Sequence, residues 1–151
     1  MKVSIDINPD LIEDEIIIKS KEINPILYHK IKDLIKTTPM IIFYQDNKEC
    51  YLGLKEILFF ETNGNHVIAH TKNDVYEVKY RLYELETLLP SNFQRIAKAT
   101  IVNIDNIFGI TKNIASASKI EFNNSHKEIY VSRHYYKLLA HKINERRNYE
   151  R

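Results

Sequence analysis

From residue 40 to residue 131 the chain is a succession of short apolar or alternating runs, each closed by turn residues and too short for a helix. That pattern commits most of the molecule to β structure. Residues 41–44 and 51–54 flank Asp46-Asn47 and read as a hairpin. Residues 57–60 are apolar on both faces, which predicts a place inside a sheet or between two layers. Asn63-Gly64 is the strongest turn signal in the chain and joins that run to a strand over 66–71. Lys72-Asn73-Asp74 leads to a further strand over 75–80, and residues 104–110, 119–122 and 128–131 complete the β material. Two helices break the pattern. Leu82, Leu85, Leu88 and Leu89 mark a short one closed by Pro90, and Ser132 caps a final one with an apolar stripe of Tyr135, Leu138, Leu139 and Ile143.

Ahead of this block lies a different signal. Residues 2–7 alternate polar and apolar, as a half-buried strand does, and residues 16–19 form a second short apolar run. Asn24-Pro25 is a helix start, with Asn as cap and Pro in the first helical position. Leu27, Ile31, Leu34 and Ile35 then share one helical face. The division is therefore a small β–α extension over residues 1–38 and a second part over 40–147, with the junction near 37–41. At 151 residues there is room for one domain and a modest extension.

Charge divides along the same line. Residues 1–23 carry three lysines against six acids, or −3, whereas residues 24–151 carry 19 basic against 14 acidic side chains, or +5. The last twenty residues hold six Lys or Arg against Glu145 and Glu150. A basic C-terminal end suits a polyanion, and it also suits a solvated helix face.

Several classes of chemistry lose support. Three glycines are too few, and too badly spaced, for a phosphate-cradling loop. Cys50 is the lone cysteine, so no intrachain disulfide or CxxC site exists; it reads as a packed or edge thiol. His66 and His70 stand four residues apart on a strand, roughly 13 Å, too far to share one metal ion. His134 and His141 are two helical turns apart, roughly 10 Å, and fail likewise. Neither G-x-S-x-G nor H-E-x-x-H occurs. No segment resembles a signal peptide or a membrane span, so a soluble cytoplasmic protein is the expectation; no site for a small-molecule substrate is expected either.

Certain fragments occur in a recognisable order. They are Ile57-Leu58-Phe59-Phe60-Glu61, then Asn65-His66-Val67-Ile68-Ala69-His70-Thr71, then a Leu-x-x-Leu helix ending in Leu89-Pro90. Phe93-x-Arg95, Ile101-Val102-Asn103-Ile104-x-x-Ile107 and Val131-Ser132-Arg133-x-Tyr135 follow. Together, over residues 57–143, they resemble the LytTR DNA-binding family. The resemblance implies an α+β, mainly β fold: an elongated β-sheet domain with short helices, here preceded by the β–α extension. It implies a bacterial transcription regulator without a cofactor, whose loops enter successive major grooves of double-stranded DNA, usually at direct repeats. It also suggests a stand-alone member lacking a receiver domain, governed by a membrane-embedded regulatory partner.

Three positions align with the family's DNA contacts: His66 after the Asn63-Gly64 turn, Lys98 in a stretch without clear period that reads as a loop, and Arg133 just after Ser132. The family commonly has a polar triplet such as His-Arg-Ser where this chain has Ala97-Lys98-Ala99-Thr100, so Lys98 keeps a donor there. Without the resemblance, His66 reads as a cross-strand surface histidine and Lys98 as a solvated lysine. Arg133 is the sharpest candidate, because a cation in a first helical turn opposes the helix dipole and needs another reason to be there. Asn65, Thr100, His134 and Lys137 form a second tier. Arg95 reads either as a contact or as a brace on Asn103 or an acidic neighbour, and Asn103 as structural. The extension is expected to mediate a homodimer or to receive a signal from a partner protein. Two rivals stay open: a protein–protein interaction module without nucleic-acid binding, and a small enzyme whose site the sequence does not display. Steep salt dependence of nucleic-acid binding separates the DNA reading from both.

Overall fold

In the computed structural model, which describes residues 6–13, 15–22, 24–35 and 40–149, the extension and the β block differ sharply in how they are held. The first helix, α1 (Pro25–Ile35), begins as its sequence dictates: the Asn24 side chain accepts from the Leu27 N–H at 3.0 Å, and its carbonyl accepts from Tyr28. Yet no residue of α1 is buried, and Leu34 and Ile35, assigned to its apolar face, are 83% and 60% exposed. The helix is tied down by Asp33 instead, whose carboxylate accepts from the Ser91 hydroxyl at 2.6 Å and from the Ser91 N–H. The strand expected over 16–19 is not formed: the segment has no ladder partner among the described residues, and its isoleucines face solvent. Most of the strand expected over 2–7 lies outside the described residues, and Asp6 and Ile7 are irregular. Residues 36–39 of the expected junction also lie outside them.

The β block opens with a tight hairpin. Asp46 and Asn47 both take positive φ, 49° and 63°, as the two-residue turn matching strand twist requires. They join β1 (Phe43–Gln45) to β2 (Lys48–Cys50), a shorter and closer pairing than the runs 41–44 and 51–54. Cys50 is a free, half-buried thiol packed on the core. There follow β3 (Phe59–Asn63), β4 (His66–His70), β5 (Val75–Val78), the helix α2 (Leu82–Leu88), β6 (Phe93–Ala97) and β7 (Thr100–Asn103). These strands form one antiparallel sheet in the order β2-β1-β5-β4-β3-β7-β6. A second antiparallel sheet, ordered β10-β9-β8, is built from β8 (Ile107–Thr111), β9 (Ser118–Phe122) and β10 (Glu128–Val131). The chain closes with α3 (Arg133–Tyr149).

The larger sheet has apolar packing on both faces, which is why residues 57–60 carry no polar side. Ile57, Phe60 and Ile101 enter a core with Phe43, Val67, Val78 and the α2 leucines Leu82 and Leu85. Leu58, Phe59 and Val102 enter another with Ile120, Phe122 and Val131 of the small sheet and Leu139 of α3. Phe59 and Phe122 stack across that second interface with ring centres 5.5 Å apart. On α3 the packed stripe is Tyr135, Tyr136, Leu139 and Ile143; Leu138 turns outward, 46% exposed.

A further segment departs from expectation. Residues 93–103 are not a loop but the β6–β7 hairpin, with Lys98-Ala99 as its turn. A bulge between Arg95 and Ala97 shifts the register, and Phe93, Gln94 and Ile96 are all buried, so no period-two signature survives.

Candidate nucleic-acid interface

Three hydrogen bonds decide where the candidate residues lie. The Thr62 N–H donates to the Ala99 carbonyl at 2.9 Å, setting the β6–β7 turn beside the end of β3. The Arg81 guanidinium donates to the Asn65 carbonyl at 3.3 Å, setting the start of α2 beside the β3–β4 turn. The Ser132 N–H donates to the Ile96 carbonyl at 2.9 Å, setting the start of α3 beside the end of β6. All four features therefore stand at one end of the molecule. The other end carries the 46–47 turn and residues 71–74, which Gln45 links to Val75 and which Lys127 and Ser125 bridge to the small sheet.

Each local geometry has a cause. Asn63 pairs with His66, so the central residues of the β3–β4 turn are Gly64 and Asn65, one residue later than the Asn63-Gly64 signal suggests. Gly64 takes φ +61°, which glycine adopts without penalty. His66 is thereby the first residue of β4, exposed at the tip, with Nδ1 2.6 Å from Glu77. This is the cross-strand surface contact of the plainer reading, and it leaves Nε2 for an incoming group. Lys98 is exposed in its turn, and Thr100, half-buried, opens β7. The turn is held by Arg95, which donates to the carbonyls of Ala97 and Lys98 and pairs with Glu86 at 2.7 Å. Arg95 thus braces an acidic neighbour and the turn, rather than Asn103.

Arg133 is the first residue of α3, exposed, and the Ser132 carbonyl accepts the first hydrogen bonds of that helix. His134 is exposed, edge-on to the Tyr135 ring at 5.0 Å. Lys137 follows one turn along, also exposed, and His141 a further turn on, paired with Glu145 at 3.3 Å. All seven candidates, His66, Lys98, Arg133, Asn65, Thr100, His134 and Lys137, lie at or within one helical turn of this end. Arg81 joins them without having stood out in the sequence. Its signal is nonetheless there: like Arg133, it is a cation directly at a helix start, opposed by the dipole.

Four unpaired cations stand at this end, although cations elsewhere, Lys72 and Lys127 at the opposite end among them, also make no ion pair among the described residues. Among the described residues no ion pair involves Arg81, Lys98, Arg133 or Lys137, whereas Arg95, Lys119 and Arg146 each hold a carboxylate within 4 Å. Arg95, Lys119 and Arg146 are neutralised; the four cations at this end are offered to solvent.

His70, at the far end of β4, is a different kind of group. Its ring stacks on Phe59 at 4.1 Å, Nε2 meets Glu61 at 2.8 Å, and buried Nδ1 has no partner among the described residues. Burial holds its pKa below the ordinary 6.5, and the Lys127 charge adds to this while Glu61 opposes it. Protonation would bury an N–H donor with nothing to receive it.

Comparison with known proteins fits this arrangement. Residues 47–144 match the LytTr DNA-binding domain family. An uncharacterised HTH-type transcriptional regulator of Staphylococcus aureus (strain bovine RF122 / ET3-1) is 32% identical over 106 residues, covering 68% of this chain and 71% of that protein. A counterpart from strain NCTC 8325 / PS 47 matches to the same extent. Among solved structures, the LytTr DNA-binding domain of a Bacillus cereus protein described as a putative methyl-accepting/DNA response regulator superposes with a TM-score of 0.61. That match has 21% identity and covers 67% of this chain and 96% of the domain. The chain belongs to the LytTR DNA-binding family, and its mainly β architecture is that family's fold. Among the described residues no two helices follow one another directly, so the term HTH in the relatives' names has no counterpart here. No described helix is long and apolar enough to cross a membrane.

Proposed function

We propose that this chain is a sequence-specific DNA-binding transcription regulator, and that its contact surface is the end of the molecule bearing the 64–65 and 98–99 turns and the start of α3. The observation that carries the proposal is the convergence there of Arg81, Lys98, Arg133 and Lys137, cations without carboxylate partners among the described residues. A polyanion supplies the missing counter-charge, and the released counterions drive association. Two hairpin turns and a helix start, standing side by side, suit entry into successive major grooves.

The roles follow from donor geometry. Arg133 suits a bidentate contact to guanine O6 and N7, and Lys98 a donor contact to the same edge. His66, its Nδ1 occupied by Glu77, presents Nε2 to a base. Asn65 and Thr100 serve phosphate or base, while Arg81, His134 and Lys137 follow the backbone. Paired direct repeats are the expected operator form, each repeat taking one such end.

Selection from a random duplex library at low salt tests the proposal, run on the wild type and on Arg133→Ala/His66→Ala. Enrichment of one motif, lost in the double variant, is the expected result; Arg133→Ala alone should cost about 1–3 kcal/mol on the enriched duplex. Enrichment that survives the double variant would move the site elsewhere. No enrichment at all would favour the interaction-module reading.

A further inference from the structure

Two apolar surfaces of this chain complement each other and yet do not meet within it. The first is a groove of about 650 Å³ between β8 and α3, lined on its apolar side by Ile107, Phe108, Ile110, Tyr136, Ala140 and Ile143. β8 is the edge of the small sheet, and Phe108 on it is 73% exposed. An edge strand beside a groove with one apolar wall is a template for one more strand. Each end of the groove carries a cation without an ion pair among the described residues: Arg147 lines one, beside the Arg146–Asp105 pair, and the Lys112 ammonium sits 5.4 Å from the centre of the Tyr136 ring at the other.

The second surface is the run Ile16-Ile17-Ile18. Three β-branched residues in sequence have high strand propensity, but here they form no ladder and are 65%, 70% and 47% exposed. Glu13, Asp14 and Glu15 precede them, so an acidic lead runs into an apolar strand-former. Apolar matches apolar, and the acidic lead matches a cation at one groove end. Within one chain this segment leads into α1, whose first residues, Pro25 and Ile26, line an adjoining cleft that shares Ile104, Asp105 and Arg146 with the groove. The isoleucines leave that cleft for solvent, not for the β8 groove.

We infer that residues 15–19 of a second copy of this chain occupy the groove as a strand added to β8, each copy donating its segment to the other in a two-fold exchange. Such a closed, self-complementary contact covers both grooves and both isoleucine runs at once. The contact is independent of the DNA-binding end.

The test uses the full chain without DNA. Sedimentation over a concentration series should show a dimer, and Ile17→Asp and Phe108→Asp should each weaken it tenfold or more with the circular dichroism unchanged, since both side chains are exposed. A second measurement does not depend on those variants. In a Cys50→Ser background, chains carrying Ile17→Cys are mixed with chains carrying Gly109→Cys, where an added Cβ meets nothing within 4 Å. Mild oxidation should give a disulfide between the two kinds of chain. A monomer at every concentration would overturn the inference. So would a dimer indifferent to both aspartates and without the mixed disulfide. A double-cysteine variant that closes the bond within a monomer would place the segment in its own groove and overturn the exchange between copies.

Discussion

Two polar residues, buried Asn103 and half-buried His70, show how differently side chains of one sequence announce themselves. Asn103 is fully buried, and its amide donates to the Ile57 carbonyl at 2.9 Å while its oxygen accepts from Asp105 and Asn92. An asparagine inside an apolar run signals such a structural amide, so its role was legible. His70 was not. Only the fold reveals the Phe59 stack, the Glu61 partner and the bare Nδ1. The depressed pKa makes His70 a source of acid sensitivity. Above the ordinary 6.5 the group is neutral in both states and its burial carries no protonation penalty. As pH falls below 6.5 the unfolded chain takes the proton first, so stability declines down to the folded pKa. Denaturant titrations at several pH values should show that decline, reduced in His70→Phe, which keeps the stack but cannot titrate. An unchanged slope would show that burial of His70 is not its source. Arg95 teaches a related lesson: the sequence offered contact or brace, and only the turn geometry chose the brace.

Elements were legible where pattern and burial agree. Strands with one apolar face, the leucine helix α2 and the helix starts at Asn24 and Ser132 fall close to where the residues put them. The failures have two causes. Residues 93–103 lost their period to a bulge and to burial on both faces, so a hairpin read as a loop. Residues 16–19 and the outer face of α1 had the right composition but no neighbour to pack against, and propensity alone does not make a strand. The turn between β3 and β4 yields a sharp expectation at this scale. A Cβ on Gly64 would touch nothing within 4 Å, so Gly64→Ala is strained only by its φ of +61°. Thermal or chemical denaturation should show a loss of about 1 kcal/mol. DNA affinity should fall as well, since that turn aims Asn65 and His66. Full retention of affinity would indicate that the turn does not contact the duplex.

Across the whole molecule the two ends are set apart by α3. It runs from the cations at Arg133 to the region where Arg146 meets Asp105 and α1 docks, about 20 Å at 1.5 Å per residue. The family and the general fold were readable from ordered fragments, because strand ends, turns and helix starts carry residue types that are hard to replace. The convergence of the candidate residues was not readable, because it depends on register: Thr62 against Ala99, and Ser132 against Ile96. The same register makes Arg81 part of the group. The most direct measurement of the central claim is a map of backbone amide chemical shifts during titration with the enriched duplex. The expected perturbations fall at 64–66, 81, 97–100 and 132–137, with the 46–47 turn, residues 71–74 and residues 123–127 undisturbed. Perturbations concentrated in those last three segments, at the opposite end, would contradict the claim.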